Sequence, residues 1–306
     1  MQKKNSNKIL IVGKGNSGKR FKKLLENKYN IIVISSKNFK KELIKVNKKY
    51  DLVIISSPSS FHKDHLKSLI NSSNKFLIEK PLFSKMSQYR YFYEIDKTKN
   101  NKKIFINYNL RETSLYKYLE KFIKKNKNKK LNFVRFYAGQ HISMWPTYKK
   151  KQNSYSKKFF GGGALLQLCH EIDLALYYFG FPDRHLLIKK QLDKFMDRTD
   201  DITVYNFFYK KLNFLLEINV NMLDNHTQRY VELIYRNFTA KFDFFEGTIL
   251  IFKNNKIVSR KKINNDVIIS NLRVAEKILN NQFSRLCSLN EALNQSPFLI
   301  NSNSKI

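Results

Sequence analysis

Two short stretches hold the side chains with the clearest chemical potential. The first is FLIEKPL, Phe76 to Leu82. Three apolar residues lead into Glu79, Lys80 and Pro81, so a carboxylate and an ammonium stand where a buried strand would emerge and a proline stops it. An ammonium held at such a point can stabilise an oxygen on which negative charge develops. Lys-Pro is also a bond at which the cis form is accessible, and a cis bond would fix where the ammonium points. The second stretch is GGGALLQLCHEID, Gly161 to Asp173, where glycines precede a helical pattern carrying His170. Histidine exchanges protons near neutral pH. Taken alone, the tripeptide reads equally as a surface Glu-Lys pair, and His170 as a structural helix residue.

The surrounding elements decide where these groups stand. Lys8 to Val12 is a strand rich in β-branched residues, followed by Gly13-Lys14-Gly15-Asn16-Ser17-Gly18 and a helical pattern of Phe21, Leu24 and Leu25. A G-x-G-x-x-G loop between strand and helix is the fingerprint of a dinucleotide site. The first glycine allows the turn, the second admits a pyrophosphate close to backbone, and the third packs helix on strand. Gly13, Gly15, Asn16, Ser17 and Gly18 are therefore candidate cofactor contacts. The second strand, Ile31 to Ile34, ends in Ser35, Ser36 and Lys37, without the acid that usually holds the NAD ribose. Ser36 and Lys37 suit a 2′-phosphate instead, so NADP is expected ahead of NAD.

Leu52 to Ile55, Phe76 to Ile78 and Ile104 to Ile106 are further strands alternating with helices, which predicts a parallel doubly wound sheet. Ligands of such sheets bind at the carboxyl edge. Ser57, Pro58, His62, Glu79 and Lys80 belong to that edge as candidate cofactor contacts, and Asn109 and Arg111 of the Tyr108-Asn109-Leu110-Arg111 run lie there too. For His62 alone, a helix-start or solvent role also fits.

The order of GKGNSG, SPSSFH, EKP and YNLR resembles the glucose–fructose oxidoreductase and inositol dehydrogenase family (Gfo/Idh/MocA) of NAD(P)-dependent enzymes. The resemblance implies an α/β Rossmann domain, then an α+β domain built on a large, mostly antiparallel open sheet. It places Lys80 beside nicotinamide and substrate, to polarise the reacting oxygen, and it identifies His170 with the family's catalytic histidine, which exchanges the proton. Asn109, Arg111, Gln140, Trp145, Gln167 and Asp173 become candidate substrate contacts. The GQ and tryptophan upstream of CHEID resemble members of bacterial surface-sugar pathways, including nonulosonic acids, which implies a sugar or nucleotide-sugar substrate. One residue departs from the family: Gln167 stands where an aspartate is usual. An amide can hold a hydroxyl but cannot carry a proton. That leaves open a catalytically weakened, NADP-binding sensor or scaffold of the same fold.

The chain of 306 residues has room for two cores. The expected division is 1–120 for the dinucleotide domain and 121–306 for a substrate and oligomerisation domain, with closing helices at 270–306. A single helix from the glycines to Phe179 would pack through Leu165, Leu168, Ile172, Leu176 and Phe179. From Ile202 to Ile263 apolar and polar residues alternate between turns at Asp224-Asn225, Arg236-Asn237, Glu246-Gly247 and Asn254-Asn255, which predicts antiparallel strands. An open face of that sheet would be a substrate floor or the surface of a homo-oligomer.

The formal net charge of +34 comes from lysines spread through nearly every segment. It is read as background composition rather than as a specific nucleic-acid footprint, because no basic stretch with interleaved aromatics occurs. The densest run, Lys121 to Lys130, reads as a helix end and linker. No apolar run approaches a membrane span, and the N-terminus lacks the pattern of a signal peptide. Two cysteines make neither a disulfide framework nor a metal pattern, so no metal and a reducing cytoplasm are expected.

Overall fold

The computed structural model describes residues 5–300 except 45, 47–48, 99–101, 146–147, 149–154, 195 and 197. The closing segment expected at 270–306 therefore lies partly outside the described residues. The first part of the chain runs β1 (Lys8–Val12), α1 (Asn16–Leu25), β2 (Asn30–Ile34), α2 (Phe39–Leu43), β3 (Leu52–Ile55), α3 (His62–Leu69), β4 (Lys75–Ile78), α4 (Tyr89–Lys97) and β5 (Lys103–Ile106). Then follow α5 (Ser114–Lys125), β6 (Leu131–Gly139), α6 (Ala164–Gln167) and α7 (His170–Phe179). Seven strands come next: β7 (Arg184–Lys190), β8 (Ile202–Tyr209), β9 (Phe214–Asn221), β10 (Gln228–Tyr235), β11 (Phe238–Asp243), β12 (Thr248–Lys253) and β13 (Lys256–Lys262). The chain closes with α8 (Val267–Leu279), β14 (Cys287–Ser288) and α9 (Leu289–Ile300).

Two compact units result: residues up to Glu112 together with Val267–Ile300, and Thr113–Asp266. The first holds a sheet of order β2-β1-β3-β4-β5-β14, parallel except for β14. Its central strand β3 is buried at every position, as a strand covered on both faces must be. The expected boundary at 120 moves to 112, because α5 packs within the second unit. There Tyr116 stacks on Phe244 with centroids 3.7 Å apart, and Asp266 accepts hydrogen bonds from the Ser114 amide and hydroxyl at 2.9 and 2.6 Å.

The closing helices also change sides. They belong to the first unit rather than the second, since Leu272, Val274, Ala275, Ile278 and Leu279 of α8 share one core with Ile9, Ile11, Phe21, Leu52 and Leu77. Lys277 reinforces the docking through an ion pair with buried Glu112.

The second unit is an eight-stranded sheet, β13-β12-β11-β10-β6-β9-β8-β7, with only the β6–β9 pair parallel. Alternate residues such as Val134, Phe136, Leu216, Ile218, Phe207 and Leu233 are buried on one face. The other face carries Arg135, which pairs with Glu217 at 2.9 Å and Glu232 at 3.5 Å across three neighbouring strands. Partly exposed Leu215 and Phe208 lie there too. The turns fall where the sequence places them; Asn254 and Asn255, both at positive φ, make a two-residue hairpin.

Ile278 is fully buried in the first unit's core. Ile278→Ala is expected to destabilise that unit by about 2–4 kcal/mol in denaturant unfolding. A loss well under 1 kcal/mol would show that α8 is not part of this core.

Candidate cofactor and active site

Each of the three loop glycines answers a different constraint. Gly13 lies at φ +124°, and a Cβ there would come 2.7 Å from the Ser56 carbonyl oxygen. At Gly18 a Cβ would fall 1.8 Å from the Gly13 carbonyl oxygen, so helix α1 sits on the loop only because side chain is absent. Gly15 meets nothing within 4 Å. No side-chain cap covers the start of α1, its first turn holds no acid, and Asn16 is exposed. A close-packed loop with an open middle glycine and uncapped helix amides fits a pyrophosphate.

Glu79 is the hub of the sheet edge. Its Oε1 accepts from the Ser17 hydroxyl at 2.5 Å and from Asn107 Nδ2 at 3.0 Å, and its Oε2 from the Lys80 amide at 3.3 Å. Asn107 also donates to Asn271 Oδ1 at 3.0 Å, so the network reaches α8. The sequence reading made Ser17 and Glu79 cofactor contacts; in the structure their side chains tie the glycine loop to the ends of β4 and β5. It missed Asn107, although this is the first polar residue after β5, as Glu79 is after β4. Lys80 is half-buried, and the Lys80–Pro81 bond is cis.

His62, expected to contact the cofactor, is fully buried at the start of α3. Its Nδ1 lies 3.0 Å from the Leu82 carbonyl oxygen and its Nε2 2.9 Å from that of Ser57. The ring therefore sits between the turn after Lys80-Pro81 and the loop after β3, and in its neutral form donates to one of the two carbonyls. Burial lowers its pKa even though both carbonyls favour the charged ring. The Ser57 hydroxyl bonds His65 Nδ1 at 2.9 Å, and Pro58 is half-exposed. His65, three residues beyond His62, packs at a tilt against Phe39 with ring centroids 4.2 Å apart, and burial pushes its pKa down to about 4.

Beyond β2, Ser36 is half-buried and Lys37 exposed. The acid missing from the chain after β2 is present in space. Glu42 of α2 accepts from the Ser35 amide at 2.9 Å and pairs with Lys14 of the glycine loop at 3.0 Å. A search along the strand end alone could not find it.

Asn109 and Arg111 are corrected from substrate contacts to structural groups. Asn109 is buried and donates to Ser270 Oγ at 2.7 Å and the Val267 carbonyl at 3.1 Å. The Arg111 side chain is 1% exposed and bonds Glu291 at 2.8 Å. Both hold α8 and α9 to the end of the sheet.

In the second unit, the single helix expected through Phe179 is divided at Leu168-Cys169 into α6 and α7, which puts His170 at the start of α7. The anticipated apolar stripe is replaced by burial all round: His170 through Leu176 are buried, with Asp173 1% exposed. Buried Asp200 positions this segment. It accepts from the Leu165 amide and the Thr203 hydroxyl, both at 2.8 Å. Gly163, at φ +112°, must lack a side chain there, since a Cβ would lie 2.4 Å from Asp200 Oδ1.

Gln167 donates its amide to the Gly161 carbonyl at 2.8 Å, a bond within the glycine lead. Gln140 follows β6 and bonds the Asn221 carbonyl through its backbone at 3.2 Å. Below it Tyr137 donates to Asp224 at 2.7 Å; burial, then that carboxylate, pushes the phenol up to about 12, so it remains a donor. Trp145 packs edge-to-face on Tyr155 at 4.7 Å. Among the described residues no group of three or more His, Cys, Asp or Glu could hold a metal ion, and no helix is long and apolar enough to cross a membrane.

Residues 15–108 match the sequence model of an oxidoreductase family with an NAD-binding Rossmann fold. No curated protein matches the chain. Among solved structures, the WlbA dehydrogenase of Bordetella pertussis, in complex with NADH and UDP-GlcNAcA, aligns over 96% of this chain and 94% of its own, at 14% identity and TM-score 0.73. An inositol dehydrogenase homolog of Azotobacter vinelandii complexed with NAD+ aligns over 96% and 93%, at 10% identity and TM-score 0.75. The myo-inositol 2-dehydrogenase of Lactobacillus plantarum aligns over 96% and 95%, at 16% identity and TM-score 0.72. At these identities the likeness is one of fold.

His65 titrates at about 4 when folded, against an ordinary 6.5. The unfolded chain therefore binds more protons between those values. Stability is complete above pH 6.5 and lost as pH falls toward 4, by on the order of 3 kcal/mol. The His62 shift has the same sign. Unfolding midpoints measured from pH 7 to 4 are expected to fall less steeply in His65→Gln than in the wild type.

Proposed function

We propose that this chain, whose residues 15–108 belong to the Gfo/Idh/MocA oxidoreductases, moves hydride between a nicotinamide dinucleotide and a carbinol or carbonyl carbon of a sugar or nucleotide-sugar. The observation that carries the reading is the bond from Ser17 to Glu79, which couples the glycine loop to the turn bearing Lys80. The bound nicotinamide would supply hydride acceptance or donation. Lys80 holds and polarises the reacting oxygen, its ammonium favouring the alkoxide. His170 exchanges the proton with the substrate. Gln140 and Trp145 contact the sugar. Ser36 and Lys37 are the residues on which a preference for NADP would rest.

The likeness to a dehydrogenase holding UDP-GlcNAcA supports a nucleotide-sugar as substrate. Surface polysaccharide or nonulosonic-acid synthesis in the cytoplasm is the proposed setting, and the open face of the β6–β13 sheet the proposed surface for a second copy. A non-catalytic, dinucleotide-binding sensor is the second reading, favoured by Gln167 in the place of a titrating carboxylate. Because its amide closes the glycine lead, Gln167→Asp would remove the donor that the Gly161 carbonyl accepts from. No gain in rate is expected from that change.

Turnover with a panel of nucleotide-sugars and nicotinamide fluorescence on titration test the reading together. Lys80→Met is expected to slow turnover by about 10²–10⁴-fold, with dinucleotide affinity nearly unchanged. His170→Asn is expected to do the same. Dinucleotide binding without turnover on any sugar would favour the sensor, and near-wild-type turnover in Lys80→Met would remove that residue from the reacting centre.

A further inference from the structure

The charge beside the glycine loop bears on which dinucleotide the chain takes. The end of β2 is where a Rossmann unit meets the adenosine ribose, and an acid there accepts from the 2′-hydroxyl. Directly after β2 this chain offers Ser35, Ser36 and Lys37. Yet the Glu42 carboxylate, 24 residues beyond Gly18, is brought back from α2 to the same place. Its Oε2 lies 2.9 Å from the Ser35 amide, and both of its oxygens lie within 3.1 Å of Lys14 Nζ. One carboxylate thus stands between the second residue of the glycine loop and the first residue past β2. Its side chain is 24% exposed, so it still faces solvent.

We infer that Glu42 is the specificity-determining acid of this site and selects NAD(H) over NADP(H), an inference that rests on the dinucleotide reading above. The Ser35 amide holds one oxygen in place, which orients the carboxylate to accept from a ribose hydroxyl. A 2′-phosphate brought to the same point would meet a fixed negative charge. Lys14 pairs with Glu42 and lowers that repulsion without removing it, because its side chain is about half exposed and the pair is screened by water. Lys37, exposed and close along the chain, adds positive charge to this edge, so the discrimination is finite. The sequence expectation of NADP rested on a missing acid, and Glu42 fills that role from a neighbouring helix.

Glu42→Gln keeps the shape and the acceptor for the Ser35 amide while removing the charge. Dissociation constants for NADH and NADPH are read by nicotinamide fluorescence at fixed ionic strength, in wild type and variant, with the melting temperature as a check on folding. In wild type NADH is expected to bind at least about tenfold more tightly than NADPH, the scale of one charged hydrogen bond. In Glu42→Gln that ratio is expected to shrink about tenfold or more. Equal or tighter NADPH binding in wild type overturns the inference, whether or not the variant folds. So does an unchanged ratio in a folded variant. Absence of binding to either dinucleotide overturns the functional reading itself.

Discussion

A single half-buried carboxylate sets the geometry of the sheet edge. Glu79 accepts from Ser17 at the start of α1, from Asn107 after β5 and from the amide of Lys80. Hydrogen bonds to a charged acceptor are each worth roughly 1.5–3 kcal/mol, more than their neutral counterparts. Because three elements converge on one group, none can shift without breaking a strong bond. Asn107 then links the set to Asn271, so the position of α8 is part of the same constraint. His62 closes the arrangement from the other side, its ring buried between the carbonyls of Ser57 and Leu82.

The second unit uses the same device. Asp200 receives a helix amide and a strand hydroxyl, and a glycine at positive φ lets it approach. Its charge is partly balanced by Lys189 at 3.3 Å. In both units a carboxylate pairs with backbone and hydroxyl donors to place a turn that carries a lysine or a histidine. With so many cations in this chain, a buried acid is easily neutralised; Glu171 with Arg229 and Glu112 with Lys277 show the same economy.

The strands, the glycine loop and the hairpin turns could be read from sequence because they follow local rules of periodicity and backbone freedom. FLI before EKP and ILIV before GKGNSG are short, apolar and sharply ended, and the structure starts and stops its strands there. What could not be read were partners distant along the chain. Asn109 and Arg111 looked like ligand contacts because polar residues after a strand usually face a cleft, yet their partners are Ser270 and Glu291. Glu42 escaped notice because helix α2 folds it back on β2. The break at Leu168-Cys169 interrupts a pattern that is helical on paper. The side given to the closing helices was decided by hydrophobic burial against β1 and β3, which periodicity does not encode.

That docking of α8 and α9 has a bearing on how the protein is made. The first unit opens the chain but cannot complete its core until Val267–Ile300 has been synthesised. Thr113–Asp266 leaves the ribosome as an uninterrupted segment before that happens. Domains that are continuous in sequence fold as they emerge, from the N-terminal end. Here the order is inverted: the unit begun first is finished last. Until then its parallel strands wait with one apolar flank uncovered, and closing it requires joining segments separated by more than a hundred residues, whose entropic cost grows only slowly with that length.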